Sequence, residues 1–385
     1  MRFCSIIIFI FEIVNTIVVN NTAFFHYHDS IRQKRGILND MRYIWREKEI
    51  PYYVDSVLDH TLIKTALKRI SKETCLIFRH KSQKNKALFI YLPGKYYETN
   101  LGRRREIPHK IFIQLFPPNI GKVIRETMRA LGVEYEHNRF DRVRYVIVKM
   151  ENIQPFFFKY FSQENAFFST NYDIEYDYRS IMHFSQYEYT RTLQKVIISK
   201  DHLMQPFMGK SKYLTFNDAK LLNKKYCSFP FINHLPCFFK GYQDPRVPNR
   251  CKCVSSFTGN HCELIRPNDP QCTQIHAFFA RERQATKTVQ VGGRCVYIIS
   301  TDREAKIEVN LKFLSIGNID RRSCNEENSI EVKYKNDISL SGFLFCPYKN
   351  ELNFTSMIHI ITIVSNFPNT DIQLQISFRK IIITN

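Results

Sequence analysis

Carboxylates are scarce in this chain, and long apolar runs are scarcer. Aspartate and glutamate number 36 against 56 lysines and arginines, a formal net charge of +20 over 385 residues. Such a surface is suited to anionic matrix, sulfated glycans or acidic proteins. After Val19 no stretch is long and apolar enough to cross a bilayer, which excludes a stable membrane span in the remaining sequence. Hydrophobic residues still make up 44% of the total, so a disordered chain is excluded and two or three domains with real cores are predicted.

The one long apolar run is Ile6 to Val19, behind Arg2 and interrupted only by Glu12, Asn15 and Thr16. It reads as a secretory signal peptide over residues 1–20, too short and poorly flanked to be a stable span. A buried strand or helix opening a domain is the alternative. Cysteine usage points to secretion independently. Of the eleven, Cys4 leaves with the signal, and the ten that remain are an even set clustered towards the C-terminal half, enough for five disulfides in an oxidising compartment. Asn353-Phe354-Thr355 is a glycosylation acceptor triplet, and Asn20-Asn21-Thr22 is another at the cleavage border. Arg32-Gln33-Lys34-Arg35 has the form of a convertase site, which makes residues 21–35 a propeptide and Gly36 the first mature residue. A solvated basic turn is the other reading. Removal of residues 1–35 takes away four basic and two acidic residues and leaves +18. The extracellular setting argues against nucleic acid as the partner of this charge.

Residues 121–132 carry a clear local pattern. Ile124, Met128 and Leu131 form an apolar face at helical spacing, Gly132 ends the helix, and Arg125 and Arg129 share another face. Beyond the glycine the chain can turn sharply, so that Tyr135 returns towards the helix. The stretch Arg125-Glu126-Thr127-Met128-Arg129-Ala130-Leu131-Gly132-Val133-Glu134-Tyr135 thereby resembles the metzincin zinc motif His-Glu-x-x-His-x-x-Gly-x-x-His, with Arg125, Arg129 and Tyr135 at the three ligand positions.

The surroundings extend the likeness. Trp45-Arg46-Glu47-Lys48-Glu49-Ile50-Pro51-Tyr52 is similar to the opening of astacin-type peptidases, Ser180-Ile181-Met182-His183-Phe184 to their Met-turn, and Leu214-Thr215-Phe216-Asn217-Asp218 with Leu222 to Cys227 to their closing helix. An amphipathic helix over Ile63 to Thr74 and a strand over Ala87 to Leu92 lie between these landmarks. The resemblance, to the nematode astacin group, implies an α+β metzincin-type peptidase domain over 36–227 and a Cys75–Cys227 bridge. The family's second bridge would fall near Tyr97 and Pro117, and both of its cysteines are absent. Residues 233–263 resemble a small disulfide-rich EGF-like module, which implies Cys237–Cys251 and Cys253–Cys262. From Cys272 short alternating runs (Cys295 to Ile299, Lys306 to Phe313, Ile330 to Tyr334, Met357 to Val364, Ile372 to Phe378) predict an all-β sandwich. With its four cysteines the segment 272–380 resembles a CUB domain, which implies Cys272–Cys295 and Cys324–Cys346. Asn328 stands at a position where calcium-binding CUB domains carry a carboxylate, which argues against calcium here.

The resemblance implies zinc, and the residues do not supply its ligands. Arginine stays protonated and has no acceptor lone pair, so Arg125 and Arg129 cannot replace histidine. Tyr135, with an ordinary phenol pKa of about 10, is a weak anchor and reads as a core aromatic. Phe184 lacks the hydroxyl of the family's oxyanion-stabilising tyrosine. Glu126 holds the general-base position but has no activated water to deprotonate, and is expected as a helix-surface carboxylate paired with an arginine. Met182 keeps an apolar packing role, and Glu136 stands where the family receives its mature N-terminus. The family's latency motif is missing too, since Asp29 is the only aspartate of the propeptide. These features predict a secreted homologue without catalysis or cofactor, a binding or decoy protein for an extracellular protein or anionic glycan. In this reading Arg125 and Arg129 form a cationic pocket, partly neutralised by Glu126, Glu134 or Glu136. The enzymatic alternative is a residual zinc endopeptidase cleaving extracellular or matrix proteins, with zinc displaced onto His137, His183 and Glu126. A chain with no specific activity is the third reading.

Overall fold

The structure, a computed structural model, describes residues 37–38, 43–164, 169–170, 172–227, 235–317, 324–326, 328–367 and 371–382. The signal peptide, the propeptide, Cys4, Asn20 and the Arg35–Gly36 junction lie outside the described residues.

The first part of the chain is built on a five-stranded sheet. Its strands are β1 (Glu49–Val54), β2 (Ile77–His80), β3 (Phe89–Gly94), β4 (Glu98–Thr99) and β5 (His109–Gln114), in the order β2-β1-β3-β5-β4. All neighbours are parallel except β4, which runs antiparallel to β5. Alternation along β1 buries Ile50, Tyr52 and Val54. Parallel β1 and β2 need a crossover, and helix α1 (His60–Glu73) provides it. Asp59 caps α1 by accepting from the Thr61 and Leu62 amides, and Ile63, Ala66, Leu67 and Ile70 bury one face of it.

Helix α2 (Ile120–Ala130) follows β5 and packs against α1. Asn119 caps it by accepting from the Lys122 amide at 3.0 Å. Gly132 ends it with φ at +90°, a conformation that favours glycine, while its amide bonds to the Arg129 carbonyl. The helix start is further held by Tyr97. The Tyr97 hydroxyl accepts from the Asn119 amide at 3.0 Å and donates to the Pro117 carbonyl at 3.3 Å. A side-chain hydrogen bond thus links Tyr97 to Pro117, near where the resemblance would put a second bridge.

After α2 the described residues form short 3₁₀ turns, loops and a two-stranded antiparallel ladder of Val146–Val148 with Ile197–Ser199 before helix α3 (Phe216–Tyr226), and Cys227 beyond it is bonded to Cys75. Asp218 ties the Met-turn to this helix. It accepts from the Thr215 amide in a capping box, from the Ile181 amide at 2.9 Å and from the Ser180 hydroxyl at 2.6 Å.

Residues 235–265 contain two two-stranded ladders over a small core of Cys251, Val254, Phe257 and Cys262, with the pairs Cys237–Cys251 and Cys253–Cys262. The remainder is a β-sandwich. Its strands are β6 (Ala277–Phe279), β7 (Ala285–Gln290), β8 (Arg294–Ser300), β9 (Ala305–Ser315), β10 (Ile330–Lys333), β11 (Phe343–Phe345), β12 (Glu351–Thr355), β13 (Ile360–Asn366) and β14 (Gln373–Ile382). They form sheets of order β6-β8-β13-β10-β11 and β7-β14-β9-β12, and Cys272–Cys295 and Cys324–Cys346 are bonded. Five of the nine strands correspond to the alternating runs. The other four are short or edge elements, and β7, for example, turns Thr286, Lys287 and Thr288 to solvent and so carries little apolar signal.

The sandwich is fastened beside the Met-turn. Arg179, 5% exposed, donates to Glu331 at 3.1 Å, to the Gly342 carbonyl at 3.1 Å and to Glu326 at 3.2 Å. The Ser341 hydroxyl donates to Asp177 at 2.8 Å. On the sandwich, Asn353 is exposed and accepts from Asn310, and Asn328 accepts from the Asn325 amide.

Candidate functional site

Helix α2 buries both its apolar face and most of its charged one. Arg125 is 2% and Glu126 0% exposed. An arginine this buried requires counter-charge, and it has two carboxylates: Nε donates to Glu126 and a terminal nitrogen to Glu188, each at 3.3 Å. Lys122, one turn back, reaches the same Glu188 oxygen at 2.7 Å. Arg129 is held by Glu134 and by the Thr99 carbonyl. Glu134 also accepts from the Tyr135 amide at 2.8 Å, which fixes the return of the chain after Gly132.

Aromatic rings fill the space between these charges. The Arg125 guanidinium lies 4.5 Å from the centre of the Phe184 ring, and that of Arg129 4.2 Å from the centre of Tyr135. Tyr135 and Phe184 are themselves 4.5 Å apart, and His137 is 4.2 Å from Phe184. The Tyr135 hydroxyl donates to both oxygens of Glu126, at 3.3 and 3.2 Å. Tyr135 and Phe184 are thus core aromatics. Met182 is buried as well, its carbonyl accepting from the Glu136 amide.

Three expectations are corrected. Glu126 is not a helix-surface carboxylate but a fully buried one. Arg125 and Arg129 do not line an open cationic pocket, because ring stacking and carboxylates occupy their surroundings. Glu136 does not neutralise either of them; it accepts from Arg139 at 3.2 Å and from the Asp177 amide at 2.9 Å.

The two carboxylates beside Arg125 have different electrostatics. Burial pushes the Glu126 carboxyl upward, and Arg125 and Arg129 offset this only in part. Burial also acts to raise Glu188, but Arg125 and Lys122 prevail and hold it at about 2. Glu188 is therefore the principal counter-ion of Arg125. Burial works against the charge on Arg125 as well, yet Glu188 and Glu126 overcome it and the guanidinium titrates above its ordinary value. Nothing in the sequence near α2 signals Glu188, which lies 63 positions from Arg125. The only cue is that a buried arginine must find an acid.

A depressed folded-state pKa stabilises above the unfolded value and loses that contribution as pH falls. For Glu188, shifted from 4.5 to about 2, stability should decline between those values by about 3 kcal/mol, at about 1.4 kcal/mol per pH unit. Acid titration followed by circular dichroism should show this loss. Glu188→Gln should be less stable at neutral pH and respond less to pH across the same window.

The donor set does not fit zinc. Arg125 and Arg129 offer only N–H donors and Tyr135 a phenol, whose pKa burial raises well above the ordinary value. The displaced set fits no better. The His183 ring bonds to the Phe184 carbonyl through Nδ1 and to the Tyr176 hydroxyl through Nε2, both at 2.7 Å. His137 uses Nε2 on the Tyr160 carbonyl at 3.0 Å, leaving Nδ1 without a partner, while Glu126 is held by Arg125 and Tyr135. Burial pushes His183 down to about 4 and His137 well below its usual range, so both rings are neutral. Among the described residues no group of three or more His, Cys, Asp or Glu side chains is placed to hold a metal ion.

A family model described as Astacin, a peptidase family, matches residues 37–227. Zinc metalloproteinase nas-34 of Caenorhabditis elegans is 28% identical over 327 residues, covering 82% of this chain and 53% of that protein. Zinc metalloproteinase dpy-31 of Teladorsagia circumcincta is 32% identical over 339 residues, covering 82% and 53%. Among solved structures, high choriolytic enzyme 1, a hatching-enzyme zinc protease from Oryzias latipes, aligns with 46% of this chain and 88% of its own at 22% identity and a TM-score of 0.40. The chain spans about half the length of these curated relatives. The match over 37–227, which holds the Trp45 opening, the substituted zinc frame and the Met-turn, makes the chain a member of the astacin family.

Proposed function

We propose that this protein is a secreted, catalytically inactive astacin homologue that acts as an extracellular binding or decoy protein. The observation that carries the reading is the Arg125 guanidinium, buried at the first ligand position of the family's motif and neutralised by Glu188. Glu126, at the general-base position, is engaged by Arg125 and Tyr135, and the side chains at the ligand positions are not ones that could hold a metal to activate water for it. Phe184 adds no hydroxyl where an oxyanion would need one. In the same reading, residues 233–263 are an EGF-like module and 272–380 a CUB-like one, Asn353 carries a glycan, and a signal peptide and propeptide precede Gly36. Five disulfides support an oxidising compartment, and no helix among the described residues is long and apolar enough to cross a membrane. The partner is an extracellular protein or an anionic glycan.

The test is a cleavage assay on the full chain expressed through a secretory route, supplied with zinc, beside Glu126→Ala. Neither protein should cleave a mixed peptide substrate above the blank. Zinc-dependent cleavage that disappears in Glu126→Ala would establish the residual endopeptidase instead.

A further inference from the structure

The closed zinc frame leaves open where a basic protein of this kind would meet an anion. An open groove of about 870 Å³ lies along the connection between β4 and β5, its lining including Tyr43, Arg103, Arg104, Arg105, Glu106 and Lys110. Four of these residues are basic and one is acidic. Arg104, Arg105 and Lys110 are exposed and Arg103 partly so. The arginines packed into the interior around α2 and the Met-turn each have an acid: Arg125 has Glu188, Arg129 has Glu134, Arg139 has Asp141 and Arg179 has Glu331. In the groove, among the described residues, no carboxylate lies within ion-pair distance of Arg103, Arg104, Arg105 or Lys110.

The loop is anchored at its base. The Gly102 amide, with φ at +63°, donates to the Arg129 carbonyl at 2.9 Å, and the Arg103 amide donates to the Tyr43 carbonyl at 2.8 Å. Arg103 lies 5.8 Å from the Trp45 ring centre and Arg104 5.3 Å from that of Tyr43. Cations packed beside rings lose less freedom on binding than free side chains do. His109, also at the groove, is buried, which lowers its pKa to about 4 and leaves it uncharged.

We infer that the Arg103-Arg104-Arg105 groove, with Lys110, is a binding site for a sulfated polysaccharide. Adjacent guanidinium forks match the oxygens of sulfate esters, and a concave, carboxylate-poor surface suits a linear chain that carries several of them. The choice of a glycan over another polyanion rests on the secretory reading, because sulfated glycans are polyanions of the compartment in which five disulfides persist.

The experiment measures binding of the purified full chain to a size-defined heparin oligosaccharide, with the desulfated oligosaccharide, polyglutamate and oligothymidylate of similar length as comparators. Arg104→Glu/Arg105→Glu should weaken heparin binding at least tenfold. Arg283→Glu/Lys287→Glu, the same charge change on exposed positions of the sandwich, should alter it less than twofold. Equal losses in the two variants would reduce the interaction to net charge and overturn the site, as would no loss in the first. Desulfated chains bound as tightly as sulfated ones, or polyglutamate or oligothymidylate bound more tightly than heparin, would overturn the polysaccharide assignment. Secretion is scored separately, by appearance of the chain in the culture medium, so failure of that reading is distinguishable from failure of the site.

Discussion

Arg125→Ala should destabilise the protein by roughly 3–5 kcal/mol, because truncation leaves the buried Glu126 without its ion-pair partner and the buried Glu188 with Lys122 alone. The guanidinium reaches Glu126 and Glu188 and covers the Phe184 ring, so the cost has an electrostatic part and a packing part. A second variant separates them. Arg125→Met/Glu188→Met removes the charges of that pair and keeps most of the volume but leaves Glu126 without its arginine, so its stability should lie between those of the wild type and Arg125→Ala. Urea melts read both values, and a double-mutant cycle with the single Arg125→Met and Glu188→Met changes gives the coupling. A midpoint unmoved by Arg125→Ala would mean that the guanidinium is solvated and the cleft open.

Restoring the motif should make the fold depend on metal. Arg125→His/Arg129→His/Tyr135→His places three imidazoles on the α2 and post-Gly132 frame, and it also strips Glu188 and Glu134 of their principal cations. Without zinc the triple variant should be less stable than the wild type by several kcal/mol. With free zinc about 1,000-fold above its Kd, binding should return about 4 kcal/mol of this. Thermal melts with and without zinc provide the comparison. The wild type should melt identically in both. A triple variant indifferent to zinc would show that the spacing has lost its metal geometry as well as its ligands.

Legibility in the sequence follows the range of the interactions. Helix α2 can be read because Ile124, Met128 and Leu131 recur at helical spacing and Gly132 supplies the left-handed residue at its end. The sandwich can be read where its strands bury alternate side chains, as in β9, or are largely apolar, as in β8, and cannot where β7 exposes Thr286, Lys287 and Thr288. At the site, the identities of Arg125, Arg129, Tyr135 and Phe184 are plain, but their surroundings are not. Two arginines on one helix face suggest solvent, since burial of a guanidinium is costly without an acid. The acid that makes it possible, Glu188, comes from a distant loop with no local pattern to announce it. Glu126 escapes the sequence for the same reason: its burial depends on Tyr135 and Arg125 closing over it. The Tyr97 link to Pro117 is also hidden, because nothing near Tyr97 announces a hydrogen bond to a carbonyl 20 positions away.

The central claim is that the metal frame of this astacin-family domain is occupied by a neutralised arginine. The most direct measurement is metal content of the secreted protein, purified without chelator from zinc-supplemented medium, by elemental analysis. The expected result is zinc on the order of 10⁻² per chain, because structural sites owe their roughly 10–16 kcal/mol to converging deprotonated ligands that Arg125, Arg129 and Tyr135 do not provide. About one tightly held zinc per chain, retained through dialysis, would contradict it.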